Sequence, residues 1–337
     1  MLRKALGPFY MAIFSALVTV IIFISPATSS PTLTNDVSQL TLGNPGTTQS
    51  LIEPSPYAVR PGQSRDTFRT RTRFTHFLKD DPIVFPGQSG ASHLHMFFGN
   101  ALVNASTTAD NIRTNCSSAS AGGTANYTGY WVPALFDANG KVMLPDSFYE
   151  PLLYYKAAYD IPDPTQIVAV PPGLRMIAGD KSATASSPQT DNRAQFSCYA
   201  TPGSNQSYIV DCPQGSTLEM TIVFPRCWDG QNLDSSDHKS HMAYANNGCS
   251  ASHPVILPEI SFHFRFPVNS PNGTAGWRLS SDMYDSSQTG GYSLHADWFG
   301  GWDPAVMDLL IRNCDQAQVD CGVDVLGDGD VLGSEFL

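Results

Sequence analysis

The stretch Glu259-Ile260-Ser261-Phe262-His263-Phe264-Arg265-Phe266 decides the fold. Phe262, Phe264 and Phe266 alternate with Ser261, His263 and Arg265, so an extended chain puts three rings on one face and polar groups on the other. That pattern predicts a strand with one face in a core. Further strands are predicted outward from it over His93–Phe98, Gly129–Phe136, Leu152–Tyr159, Ile167–Val170 and Leu218–Phe224. Turn pairs separate the runs: Asn139-Gly140, Pro172-Gly173, Asp229-Gly230 and Asn272-Gly273. One helix is predicted near the end. Asp303 caps it, Pro304 takes its first position, and Val306, Met307, Leu310 and Ile311 share a side. Only 15% of the chain is charged, as expected of a turn-rich β protein. The fold expected is all-β or β-dominated: one antiparallel domain of sandwich or jelly-roll type with long loops and a C-terminal helix.

The domain is bounded by composition. Residues 1–27 read as a signal peptide, with Arg3 and Lys4 before a sixteen-residue apolar run, Phe9 to Ile24, and small residues after it. The run falls short of the ~20 residues of a membrane span, and an uncleaved anchor is the alternative. Residues 28–60 read as a Ser/Thr/Pro-rich linker, 61–322 as a single β-rich domain, and 323–337 as a frayed acidic tail. Losing Arg3 and Lys4 takes the net charge from −11 to −13. Such a surface argues against nucleic acid, which needs Lys and Arg at its phosphates, and against anionic membranes once the signal is cleaved.

Seven cysteines in an exported chain read as disulfides. Proximity suggests Cys198–Cys212, Cys227–Cys249 and Cys314–Cys321, and leaves Cys116 unpaired. The sequons at Asn104, Asn115, Asn126, Asn205 and Asn272 carry glycans only in a host that glycosylates.

Three clusters could carry chemistry. His93 and His95 project from one face of an extended strand about 7 Å apart, close enough to ligate one metal ion. Asp237, His238 and His241 lie between Cys227 and Cys249, a constrained loop in which an acid can orient an imidazole. His295 and Asp297 share a face if extended, beside Trp298. Trp131, Trp228 and Trp298 could stack on sugar rings, although such side chains more often line a core.

The runs Asp81 to Asn100, Tyr130-Trp131-Val-Pro-Ala-Leu, Cys227 to Met242 with His253-Pro254, and Ser293 to Asp303 together resemble a secreted domain-of-unknown-function family of fungi and bacteria. It carries the HLHMFFGN, CWDGxNLDSxDHKSHM and LHADWFxGWD motifs. The resemblance spans about residues 65–322. It implies an extracellular setting, a link to cell walls or polysaccharide, and a place in the family pattern for His93, His95, Asp237, His238, His241, His295 and Asp297. It assigns them no roles. Some members carry a carbohydrate-binding WSC module, which is absent from this sequence.

The leading expectation is an enzyme acting on polysaccharide or cell-wall glycan. Two chemistries are open. His93, His95 and one of His238, His241 or His295, with His241 preferred, hold Zn²⁺ or Cu²⁺. Otherwise His95, His238 and His295 act with Asp237 or Asp297 in metal-free acid–base catalysis. The rival is a non-catalytic glycan-binding protein. The clusters discriminate: groups more than about 12 Å apart cannot share one ion whose bonds are ~2 Å long.

Overall fold

Glu259–Pro267 forms the longest strand and pairs antiparallel on both sides, with Thr217–Val223 and with Leu152–Lys156. Its three phenylalanines are wholly buried, as their alternation predicts, and each faces an apolar partner: Phe262 opposite Ile222, Phe264 opposite Met220, Phe266 opposite Leu218. The strand lies inside an eight-stranded sheet. The structure, a computed structural model, describes residues 50–55, 60–61, 67–114, 120, 123–146, 151–158 and 160–334. The predicted signal segment, most of the linker and Cys116 lie outside these.

A second sheet has five antiparallel strands in the order Arg175–Gly179, His295–Phe299, Gly129–Pro133, His95–Gly99, Phe74–Leu78. Its inner face packs on the first sheet as a sandwich. Phe98 meets Phe264 at 4.7 Å between ring centroids, and Tyr130 meets Phe262 at 5.5 Å. Such pairs contribute roughly 0.5–1.5 kcal/mol each beyond area burial. Four aromatic polar groups meet in the core. Tyr155 Oη accepts from the Trp298 and Trp302 indole N–H groups at 3.2 and 3.0 Å and lies 3.1 Å from Tyr130 Oη.

The helix Pro304–Leu310 begins as predicted. Asp303 accepts from the backbone N–H groups of Ala305 and Val306, and Val306, Met307 and Leu310 are buried. All three neighbouring cysteine pairs are bonded: Cys198–Cys212, Cys227–Cys249 and Cys314–Cys321. Among the described residues no helix is long and apolar enough to cross a membrane.

Several expectations need correction. Within the predicted tail of 323–337, residues 323–334 are not frayed. Val319–Val323 joins the eight-stranded sheet parallel to Thr67–Arg71, where Arg69 grips Asp320 with 2.7 Å contacts to both oxygens. Asp330–Ser334 pairs with Ser50–Pro54, inside the stretch read as linker. Burial of Val325, Leu326 and Leu332 holds this end despite its acidic residues. Ile167–Val170 is not a strand. A single bridge to Ile256 holds it, and Pro171 and Pro172 follow with no N–H to extend a ladder. Asn126 is wholly buried and bonded to Tyr130, so it bears no glycan in the fold.

Candidate metal centre

The outer face of the five-stranded sheet carries the chemistry. Alternation along His95–Gly99 sends Met96 and Phe98 inward, so His95 and Phe97 point outward. Register places Pro133 beside His95 and Trp131 beside Phe97, and Asp297 flanks Trp131 from the next strand. His295 precedes Asp297 by two residues and shares its face. His95 and His295 therefore stand one strand apart, about 10 Å between backbones at ~4.8 Å per strand. The compact Pro133 leaves room for them to lean together, and their ring centroids are 5.9 Å apart. His93 closes the group just ahead of its strand, 4.1 Å from His95 and 5.0 Å from His295.

One donor nitrogen from each ring lies within 4.8 Å of the others. A tetrahedral zinc with ~2.05 Å bonds needs donors ~3.3 Å apart, within reach of small ring rotations. The tautomers suit this. His95 donates from Nδ1 to the Asp80 carbonyl at 3.0 Å, and His295 from Nδ1 to the Ser293 carbonyl at 2.8 Å. A carbonyl only accepts, so each Nε2 keeps its lone pair. Nε2 of His93 and of His95 is buried without a partner. Leaving such an atom bare costs about 1–3 kcal/mol. Two beside a third imidazole fit a cation that all three would bind.

Burial also keeps the rings neutral. It pulls His93 down to about 4, aided by the charge of Lys181. It pulls His295 down to about 3, aided by His93, and drives His95 well below its usual value, aided by both neighbours. Neutral imidazole is the form that binds metal.

Asp297 is almost wholly buried, and neither oxygen has a hydrogen-bond partner. Burial first, and the nearby Asp81 second, raise its carboxyl far above the carboxylate range, against Lys239 and Lys181. Asp81 is raised by its own burial, while Oδ1 accepts from the N–H groups of Ile83 and Val84.

The middle cluster does not join the three histidines. His241 donates from Nε2 to the Arg175 carbonyl at 2.7 Å, and its Nδ1 lies 2.9 Å from Ser235 Oγ, whose proton goes to Asp237. Both nitrogens have partners, and the histidine that stands with His93 and His95 is His295 rather than His241. His238 pairs through Nδ1 with Asp234, at 3.1 Å to each oxygen. Asp237 orients no imidazole. Its Oδ1 caps its own turn, accepting from Ser235 Oγ, Ser240 Oγ and the N–H groups of Lys239 and Ser240. The loop still reaches the centre through Lys239, whose Nζ donates to the Gly179 carbonyl at 2.9 Å. Gly179 is the residue paired with His295. At φ +82° it approaches so closely that a Cβ there would sit 2.4 Å from the Leu294 carbonyl oxygen.

Two tryptophans are corrected as well. Trp298 is buried within the sandwich and Trp131 beneath the outer face of the five-stranded sheet, against Phe97, so neither can stack on a sugar. Trp228 is half-buried, and its indole donates to the Asn232 carbonyl at 2.7 Å. A cleft of about 450 Å³ of mixed lining includes Gly179 and Lys239, with Asp180, Asp191, Ile177 and Met242 also in its walls. Sequence reading assigned no role to Asp80, Asp81 or Lys181. The Asp80 carbonyl that fixes His95 carries no side-chain signal at all.

The family model described as "Domain of unknown function (DUF1996)" matches residues 81–302. The chain belongs to that family. No match emerged among curated proteins or among solved structures. The span matched to DUF1996 contains the three histidines, Asp81 and Asp297, while Asp80, which orients His95, falls one residue before it.

A pH test separates this centre from ordinary surface histidines. Unfolded histidines gain protons as pH falls through 6.5, whereas folded His93 and His295 resist until about 4 and about 3. The unfolded state then binds more protons, so stability falls with pH. The metal-free DUF1996 protein is expected to lose stability steadily from pH 6.5 to 4. The slope is about 1.4 kcal/mol per pH unit for each fully buried histidine, and less for the part-exposed His93. Urea midpoints across that range would record it, and a His93→Gln/His295→Gln variant should flatten the curve. An unchanged slope in the variant would remove these residues as the cause.

Proposed function

We propose that this DUF1996 domain is an extracellular metal-dependent enzyme acting on polysaccharide or cell-wall glycan, with His93, His95 and His295 as metal ligands. One observation carries the proposal: three neutral imidazoles gather their donor atoms at one place, and two of those atoms are buried with no partner. His93, His95 and His295 would hold a zinc with one position left open, and such a metal would supply an acidified water and a Lewis acid for a substrate oxygen. Asp297, two residues from His295 on the same face, holds the proton that such a reaction must move. His295 and His95 stay oriented by their carbonyl acceptors throughout. Lys239, fixed to Gly179, lines the approach.

The metal-free acid–base alternative is less favoured, because neither Asp297 nor Asp237 hydrogen-bonds an imidazole. The glycan-binding alternative loses two of its three expected tryptophans with the burial of Trp131 and Trp298. The disulfides fit an oxidising compartment. The expected result is about one equivalent of zinc or copper per purified chain by elemental analysis, with metal-dependent cleavage of cell-wall preparations. Retained copper in place of zinc would direct the assay to oxidative products. A chain holding no metal after reconstitution would overturn the proposal.

A further inference from the structure

Two segments remote in sequence bring three tyrosines together next to the three-histidine centre. Ile209 donates its N–H to the Gly290 carbonyl at 2.9 Å, which joins one segment to the loop of residues 279–293. Tyr208 then meets Tyr292 with ring centroids 5.2 Å apart, and Tyr284 meets Tyr292 at 6.1 Å. The three rings are half-buried, and Met283 in the same loop is 88% exposed. Tyr155 in the core shows the contrast, since it buries its ring and bonds its hydroxyl. Among the described residues the hydroxyls of Tyr208 and Tyr292 have no protein partner.

The loop is braced from within and tied to the metal ligands. Asp282 Oδ2 accepts from the N–H groups of Leu279 and Gly291 at 2.8 and 2.7 Å. Its Oδ1 accepts from the Tyr284 hydroxyl and from Ser293 Oγ at 2.8 and 2.6 Å. Tyr284 Oη accepts in turn from the Tyr292 N–H at 3.1 Å. Ser280 Oγ donates to the Leu94 carbonyl, between His93 and His95, and the Ser293 carbonyl accepts from His295 Nδ1. Tyr292 precedes His295 by three residues, so at most about 11 Å of chain separates them at ~3.6 Å per residue. Rings already held in place lose little freedom when a ligand stacks on them.

The surroundings select a neutral ligand. Arg278 lies over the Tyr284 ring at 4.9 Å, and its guanidinium donates to the carbonyls of Asp282, Tyr284 and Gln288. The chain carries 30 acidic residues against 19 Lys and Arg. An acidic glycan would meet a cation already spent on carbonyls and a protein of its own sign. A neutral pyranose with equatorial hydroxyls offers a flat C–H face to an aromatic ring and its hydroxyls to the tyrosine O–H groups.

We propose that Tyr208, Tyr284 and Tyr292, with Met283, form a stacking platform that leads a neutral pyranose chain to the three-histidine centre. Its substrate role rests on the metal-centre reading, and its binding role does not. Cellopentaose, chitopentaose and pentagalacturonate are titrated calorimetrically into the full zinc-loaded protein, and into the same chain without zinc. At least one neutral oligomer should bind in both forms, and more tightly than pentagalacturonate. Tyr208→Ala/Tyr292→Ala should weaken it about thirtyfold, the product of two stacking contacts of about fivefold to sixfold each, while zinc content stays unchanged. Tyr208→Phe/Tyr292→Phe keeps both rings and should keep most of the binding. If the double alanine variant folds poorly, Tyr208→Ala alone leaves Tyr284, Tyr292 and the Asp282 bonds in place and should still lose about fivefold.

Full retention by the alanine variants, equal losses in the alanine and phenylalanine pairs, tighter binding of pentagalacturonate, or no binding of either neutral oligomer overturns the platform even if zinc is held. Tyrosine-dependent binding of one neutral oligomer alone upholds it and marks the sugar it takes. Tyrosine-dependent binding in a chain that holds no zinc upholds the platform and removes the enzyme reading instead.

Discussion

Replacing His95 by alanine is expected to release the metal from the protein. His95 is fully buried, its Nδ1 is committed to the Asp80 carbonyl, and its Nε2 has no partner but the shared centre. Losing one of three ligands should lower affinity by well over ~100-fold, since outer partners alone are worth 10–100-fold. The effect should also appear in stability. A metal at ~1,000 times its Kd stabilises the folded chain by about 4 kcal/mol, so wild type should melt higher with metal than without. His95→Ala should melt at one temperature in both conditions. A purely structural His95 predicts otherwise: the variant would be less stable overall and keep its response to metal. His76→Ala serves as the control. His76 stacks on Phe97 at 4.7 Å and bonds the Val103 carbonyl, so its loss should leave the metal in place. Metal retained at wild-type affinity by His95→Ala would rule out the centre.

Asp297→Asn should make the metal-free protein more stable and lower the activity proposed for it. The folded carboxyl holds its proton well above the unfolded value because of burial and Asp81. Between those values the folded state binds the extra proton, so stability drains away as pH rises, by about 1.4 kcal/mol per pH unit. Asparagine keeps the shape and cannot ionise, so the penalty disappears. The gain over wild type should therefore widen from pH 5 to pH 8, opposite in sign to the histidine effect. If Asp297 moves the reaction's proton, kcat should fall by about 10²–10⁴ while metal content holds. Comparing melting curves and kcat for the same preparation tests both halves. A variant that keeps wild-type kcat, or is destabilised equally at every pH, would reduce Asp297 to a packing residue.

Much of the fold is legible in local patterns. The alternation at Phe262, Phe264 and Phe266 places a strand and its inner face, because a pleated chain has a period of two. Asp303-Pro304 starts the helix, because a carboxylate and a ring that lacks N–H fit the orphan end of a helix. The disulfides close between neighbours in sequence. The signals fail where burial opposes composition. The acidic tail is held by Val325, Leu326 and Leu332, and Trp298 fills the sandwich and Trp131 the apolar cluster outside it instead of meeting sugar.

The candidate site was half legible. His93 and His95 are recognisable as a pair, and His295 with Asp297 as another, since each pair shares a face of one extended segment. Their meeting is not legible, because His95 and His295 are 200 residues apart in sequence. Nor does the sequence show why His241 stands aside, since its two partners are Ser235 and a backbone carbonyl of Arg175.

The sequence alone determined several of the strands, Glu259–Pro267 foremost, and which side chains share a face within each. The tertiary structure decided which strands became neighbours, and so brought His295 rather than His241 to His93 and His95. The reason is physical. Side-chain alternation is set by bonds within a segment, whereas strand pairing is made by backbone hydrogen bonds that are alike at every residue.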